Sequence, residues 1–249
     1  MTEDRYREAL PPLPRLPGLR RGPRGPCSVA GCTEPARNGY GQQRLCDTHR
    51  GRKRRHGDPT VRAGVRKRDL QPYIADVRRI VRRAGREKIE TALRSVAADL
   101  KDATESALVE AEGRLFRGPQ WQQVALRELA RVLGDRDVEP VAVGMVVGAL
   151  YMMRLRERHR WPNDRAFVFD VARQVRKLST VSYGSYFDGM TTRKTYRDLR
   201  PDAVAVIGDV LRHAYQPFGG FLVRGAELLA QRQQATRQAF KEGLDQLSK

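Results

Sequence analysis

Residues 140–158 read PVAVGMVVGALYMMRLRER, and this stretch decides the fold class. From Val141 to Met153 it carries no charge, and its apolar side chains fall on most faces of a helix. Such a helix belongs at the centre of a core, with other helices packed around it. The apolar run is interrupted by Gly144 and Gly148. It is also shorter than the ~20 residues a bilayer span needs.

Working outward toward the C-terminus, Pro162-Asn163-Asp164 gives a turn and an N-cap before Phe167, Val168, Val171, Val175 and Leu178. Pro201 suits the first turn of a further helix carrying Val204, Val206, Ile207, Val210 and Leu211. Residues 221–247 read as a last helix, polar from Gln231 onward. Toward the N-terminus, Trp121, Val124, Ala125, Leu129 and Val132 share a helical face, and Gly134 stands where a helix stops. Leu70, Tyr73, Ile74, Val77, Ile80, Val81 and Ala84 follow the same three-and-four spacing. That spacing resumes at Ile89, Leu93, Val96, Ala97 and Leu100, with a break expected at Gly85. Strand alternation is weak and confined to residues 180–188. The expected architecture is mainly α, a small N-terminal zinc-binding module followed by a multi-helix domain over residues 69–249.

The charge is uneven. The 249-residue chain has a net charge of +19 and a pI of about 10.7. Like charges repel, so the excess does nothing for folding and implies a polyanionic partner, nucleic acid before an anionic membrane. Residues 1–68 hold 17 basic and 6 acidic residues, net +11, and the rest of the chain holds 31 and 23, net +8. Residues 1–26 include PPLPRLPGLRRGPRGP, too rich in proline and glycine for regular structure, and read as a flexible arm. The arm has no apolar signal core, and the cysteines are odd in number, so a reducing, cytoplasmic setting is expected.

The three cysteines lie within twenty residues of one another: Cys27, Cys32 and Cys46, followed by His49. The spacing is C-x4-C-x13-C-x2-H. Zinc takes four soft or borderline donors in a tetrahedron, and two close pairs supply them. The second pair, at i and i+3, shares one face of a helix start. Four protein donors leave no coordination site for water, so the expected ion is a structural Zn2+. Incidental reduced cysteines beside a surface histidine are the alternative, and their confinement to one window argues against it.

CSVAGCTEPARNGYGQQRLCDTHRGRKRRHGDP, residues 27–59, resembles a short zinc module of actinobacterial and phage proteins. That module has a C-x4-C pair, a turn, a Gly-Leu-Cys-x-x-His step and an Arg-rich stretch ending His-Gly-Asp-Pro. In some of those proteins it precedes an HNH nuclease domain. The resemblance places metal on Cys27, Cys32, Cys46 and His49 and implies a nucleic-acid context, often phage-derived; it does not carry nuclease activity. Arg44 stands where glycine is usual, which puts the turn before Cys46 in question.

Residues 50–68 hold nine basic residues against one Asp: Arg50, Arg52, Lys53, Arg54, Arg55, Arg62, Arg66, Lys67 and Arg68. Guanidinium forks meet phosphate oxygens in pairs, so these residues are the expected nucleic-acid contacts, with 60–68 read as a basic linker. A solvated charged face is the bland alternative. A membrane-surface helix would need large apolar residues opposite the charge, and the run has none. His56, the other histidine near the cysteines, could stand in for His49 as a metal ligand, but is expected instead to brace the turn before Pro59 or to reach a phosphate. Tyr183, Tyr186, Arg193 and Lys194 sit in a hydroxyl- and aromatic-rich segment that could stack on bases, although a plain loop between helices is favoured. No His-Asn-His set or Walker glycine loop is present. The reading is a zinc-containing nucleic-acid-binding protein, with DNA preferred to RNA, of phage or mobile-element type, in a bacterial cytoplasm. A nucleic-acid-processing enzyme with chemistry in the helical domain and a zinc-stapled protein–protein adaptor stand as rivals.

Overall fold

The computed structural model describes residues 25–36, 44–113, 120–187, 192–196 and 198–247. The protein is mainly α-helical, and its chain forms two compact units, Met1–Arg50 and Gly51–Lys249. The described helices are α1 (Asp47–His56), α2 (Lys67–Gly113), α3 (Gln120–Gly134), α4 (Pro140–Arg156), α5 (Asp164–Arg176), α6 (Pro201–Ala214) and α7 (Gln216–Leu247). The unit boundary falls within α1. Residues 1–24 of the expected arm lie outside the described residues.

In the second unit α4 packs on α2, α5 and α7. Val143, Val147, Ala149, Leu150, Met152 and Met153 have no exposed surface. They point to several sides because the helix has neighbours on several sides. Its two glycines are seats for those neighbours. A Cβ on Gly144 would lie 2.6 Å from Leu93 of α2, and one on Gly148 2.6 Å from Leu222 of α7. The α5–α6 crossing is tighter: a Cβ on Gly208 would lie 2.0 Å from the carbonyl oxygen of Val168. Only glycine admits that approach. Each aliphatic or aromatic side chain buried here stabilises the unit by about 1.5–3 kcal/mol relative to exposure.

The helix ends follow local chemistry. Asn163 caps α5, its Oδ1 accepting from the Ala166 N–H at 2.9 Å. Pro201 opens α6 and Gly134 ends α3. Gly85, at φ 102° and ψ 88°, is the one non-helical residue inside α2. Residues 180–188 hold more order than a loop: after a 3-10 turn at Thr180–Ser182, strands β1 (Tyr183–Phe187) and β2 (Thr192–Tyr196) pair antiparallel, with Tyr183 opposite Tyr196. An ion pair lies beneath the hairpin. Arg176 of α5 and Glu128 of α3 meet at 2.8 Å with 2% and 4% of their side chains exposed. The Ser182 hydroxyl donates to the same carboxylate at 3.1 Å, and the Arg176 guanidinium lies 4.5 Å from the centre of the Tyr196 ring.

Candidate functional site

Cys27, Cys32, Cys46 and His49 come together in the first unit, their donor atoms all within 4.8 Å of one another. The His49 Nδ1 lies 3.4 Å from the Cys27 Sγ and 3.2 Å from the Cys46 Sγ, and the Cys32 and Cys46 sulfurs are 3.9 Å apart. A tetrahedron with zinc–sulfur bonds of 2.3 Å and a zinc–nitrogen bond near 2.05 Å has edges of about 3.8 Å between sulfurs and about 3.6 Å from sulfur to nitrogen. These three spacings match those edges within a few tenths of an ångström, and the remaining pairs stay within 4.8 Å. They are far from the ~2.05 Å of a disulfide. The four residues can therefore hold one metal ion.

The backbone builds this cluster from two short pieces. Residues 27–32 make a tight turn in which the Cys32 N–H donates to Val29 O at 3.0 Å. Ser28 N–H donates to Arg44 O at 2.7 Å, tying the turn to the strand-like entry into α1. The Cys46 N–H donates to the Cys27 sulfur at 3.4 Å. Cys46 immediately precedes α1 and His49 lies in its first turn, with Arg50 N–H bonded to Cys46 O at 2.9 Å. Arg44 needs no glycine conformation, because no non-glycine residue among those described has positive φ. Its carbonyl accepts from Ser28 in the 27–32 turn, and residues 41–43 of the turn before Cys46 lie outside the described residues. Around the donors the apolar packing amounts to Leu45 with Cys27 and Cys46, edged by Val29 and Cys32.

The cluster is electrostatically primed for a cation. Burial would raise the Cys27 thiol, but hydrogen bonds from the Cys46 and Val29 backbones and from the His49 and Cys32 side chains outweigh it and lower it to about 6. Cys32 is pushed up: the backbone bond at Glu34 favours its thiolate, but burial, the neighbouring sulfurs and the charge on Cys27 together oppose it. One thiolate forms readily and resists the next. A divalent ion removes that repulsion, which is the ordinary coupling of metal binding to proton release.

The basic run divides between the units. Arg50 closes the first unit and is exposed. In the second unit Arg54, Arg55, Arg62, Arg66, Lys67 and Arg68 are exposed, whereas Arg52 and Lys53 are half-buried. Residues 60–68 do not behave as a linker. Val61 and Val65 belong to the main core, and the helical run of α2 already begins at Lys67. The Val65 N–H donates to both oxygens of Asp170 at 3.4 Å, and the Gln174 amide donates to Val65 O at 2.6 Å. The segment alternates, valines inward and the following arginines outward, so a local pattern of charge conceals two core residues.

The His-Gly-Asp-Pro step explains how this segment is seated. Gly57 has φ 76°, and a Cβ there would lie 2.7 Å from the Phe169 ring. Asp58 accepts from the Thr60 N–H at 2.7 Å, the Thr60 hydroxyl at 2.5 Å and the Asn163 amide at 2.6 Å. Burial alone would raise the Asp58 carboxyl, and these bonds hold it below its ordinary value. Asn163 thus caps α5 with its oxygen and grips the turn with its nitrogen.

Compared with protein-family models, curated proteins and solved structures, the chain matches none of them.

His56 takes no part in the metal cluster. Its Nδ1 pairs with Arg173 Nη1 at 3.2 Å, and burial together with the charges of Arg173, Arg55 and Arg52 depresses it to about 4. Arginine can only donate, so the ring accepts at Nδ1 and carries its proton on Nε2. Tyr183 lies at the start of β1 and is half-buried. Tyr186, Arg193 and Lys194 are placed on the strands by their backbone, and their side chains lie outside the described residues. His159 and His213 are exposed, and Trp161 is buried with its Nε1–H donating to Asp170 at 2.8 Å.

Two residues that seat the basic segment were hidden from sequence reasoning: Arg173, which meets His56, and Asp170, which accepts from Val65 N–H. Arg173 and Asp170 lie on α5 among its apolar residues, where a hydrophobic pattern marks them only as interruptions. Asp170 is 4% exposed, and burial raises its carboxyl despite the bond from Trp161. The one available signal was that an aspartate inside an apolar helical face must have buried donors opposite it.

Proposed function

We propose that the protein is a zinc-containing DNA-binding protein of phage or mobile-element type, whose zinc is structural and whose basic segment after the zinc module grips the phosphate backbone. The observation that carries this reading is a four-donor Cys3His cluster at tetrahedral spacing, followed without a gap by nine cations in residues 50–68. Thiolate-rich closed sets favour zinc over hard cations. Once bound, the ion would supply no reactive water, since protein atoms fill all four positions. Its work is to hold residues 27–32 against the start of α1. The cations then act as a backbone grip, with Arg preferred because its fork is complementary to phosphate. DNA is favoured over RNA on the likeness of residues 27–59 to modules that precede nuclease domains. The place of action is the cytoplasm of a bacterium.

The test has two readouts. Metal analysis of gently purified protein is expected to give one zinc per chain. Affinity for duplex DNA, single-stranded DNA and RNA, titrated across salt, is expected to favour duplex DNA. Its log–log slope should be near −4 to −5, corresponding to about five phosphates. Removing residues 1–68 would be a poor control, because it deletes core valines. The better variant replaces Arg54, Arg62, Arg66, Lys67 and Arg68 with Gln, which should flatten the slope. A metal-free protein, or a binding that ignores salt, defeats the reading.

A further inference from the structure

We propose that a hollow at the C-terminal end of α1, closed by α5 and by Tyr196, receives one phosphate group of a nucleic-acid backbone. The proposal rests on the nucleic-acid reading above and names its point of contact. Arg54, Arg55, Arg173, Arg176, Tyr196 and Asp198 line the hollow.

The charge in the hollow does not cancel. Arg176 faces Glu128 at 2.8 Å and Arg54 faces Asp198 at 3.4 Å. Arg55 and Arg173 form no ion pair with a carboxylate among the described residues. Their bonds go to neutral acceptors, Arg55 Nε to Gly51 O at 3.3 Å and Arg173 Nη1 to His56 Nδ1 at 3.2 Å. Asp170 acts on Arg173 only at longer range, and its own burial favours the neutral acid. Arg52 adds a further positive charge around His56. Two guanidiniums without a carboxylate in ion-pair contact, in a partly enclosed place, leave a positive potential that an anion would satisfy.

A second observation points to an acceptor in the same place. Tyr196 lines the hollow, and its hydroxyl is buried without a hydrogen-bond partner. Burial, with Arg176 and Arg173 nearby, leaves the phenol at about 12, so the group is a neutral O–H donor. A buried donor left unpaired costs about 1–3 kcal/mol. A small turn of the ring toward the hollow would bring the hydroxyl to a ligand oxygen and offset that cost.

Size then decides what enters. The hollow offers about 30 Å³, and a single water needs roughly 10–15 Å³ on the same measure. There is room for a phosphate oxygen or two and none for a base. The contact is therefore with the backbone and indifferent to sequence, and the remaining oxygens face the exposed Arg54 and Arg55 at the mouth.

Two variants test it. Arg55→Gln removes an exposed charge, and Tyr196→Phe removes only the hydroxyl. Arg55→Gln should lower duplex affinity at least about 10-fold and reduce the salt slope by about 0.9. Tyr196→Phe should lower affinity about 5-fold while the melting temperature of the unliganded protein stays level or rises, an outcome that a structural hydroxyl would not give. If the wild type binds nucleic acid and neither variant changes affinity or slope, the hollow is not the phosphate site, and the wider reading stands. If the wild type binds no nucleic acid, the wider reading fails, and inorganic pyrophosphate decides the hollow. Displacement of the His56 ring signals that Arg55→Gln abolishes keeps an anion site there, and unmoved signals remove it.

Discussion

The two units solve the problem of staying folded by opposite means. The second has a continuous core running from Val61 to Leu222, built around a helix buried on nearly every side. The first, among its described residues, has three buried side chains in its apolar cluster, two of them cysteines that are also metal donors. A segment that small cannot offset its chain entropy by apolar burial, which is why domains below about 40 residues usually need metals or disulfides. Metal binding in such modules is folding: structural zinc supplies roughly 10–16 kcal/mol in comparable peptides. The contrast teaches that the same chain should respond to two different insults in two separable ways.

The largest effect follows directly. Cys46→Ser, or a strong chelator, should unfold residues 25–50 and leave the second unit melting at its usual temperature. Limited proteolysis combined with a helical-signal melt checks this. Cleavage confined to the first unit with an unchanged melt is expected. A first unit that stays protected without metal would mean that its small apolar cluster suffices, and the contrast would collapse.

The next effect lies in the second unit alone. Glu128→Ala takes away the carboxylate that meets the Arg176 guanidinium, itself 2% exposed, and removes an acceptor from Ser182. Breaking a buried pair from one side costs about 3–5 kcal/mol. A denaturant melt should show that loss with metal content unchanged. Replacing both partners with well-packed apolar residues should recover most of it, since the penalty comes from the stranded charge. A loss below about 1 kcal/mol for the single variant would show that water reaches Arg176 and that the hairpin seals nothing.

How much of this was legible in the sequence depends on whether the deciding interaction was local. The run from Val141 to Met153 announces a central helix because composition alone demands burial on all sides. Asn163 and Gly85 mark a cap and a break because both act within a turn of their own position. The metal cluster is legible because its donor types are few and their spacing is set by short loops. The hairpin is not: YGSYF lacks alternation, and its register is fixed by a partner strand, with Arg176 and Glu128 beneath it. Val61 and Val65 were equally hidden, since two apolar residues among cations look like chance until Asp170 and Gln174 are brought to the backbone between Val61 and Lys67 by the fold. The size of the second unit also explains why the charged residues of α5 carried no signal in the pattern. In a core this large, a single helix face can carry both apolar contacts and the buried acid that pins another segment.

The smallest effect is the one that separates folding from function most sharply. Arg54, Arg62 and Arg66 are exposed, and among the described residues their only ion pair is Arg54 with Asp198, at 3.4 Å with 69% and 73% of the side chains exposed. Pairs that open to solvent are worth about 0–1 kcal/mol, and less as salt rises. Replacing all three with Gln should therefore shift the stability of the second unit by no more than about 0.5 kcal/mol. Relief of repulsion in a chain of net charge +19 could even raise it. If the melt moves by several degrees downward, these cations serve the fold. If it does not, their concentration on one short segment answers to something outside the molecule, and a loss of salt-dependent nucleic-acid binding in the same variant identifies what that is.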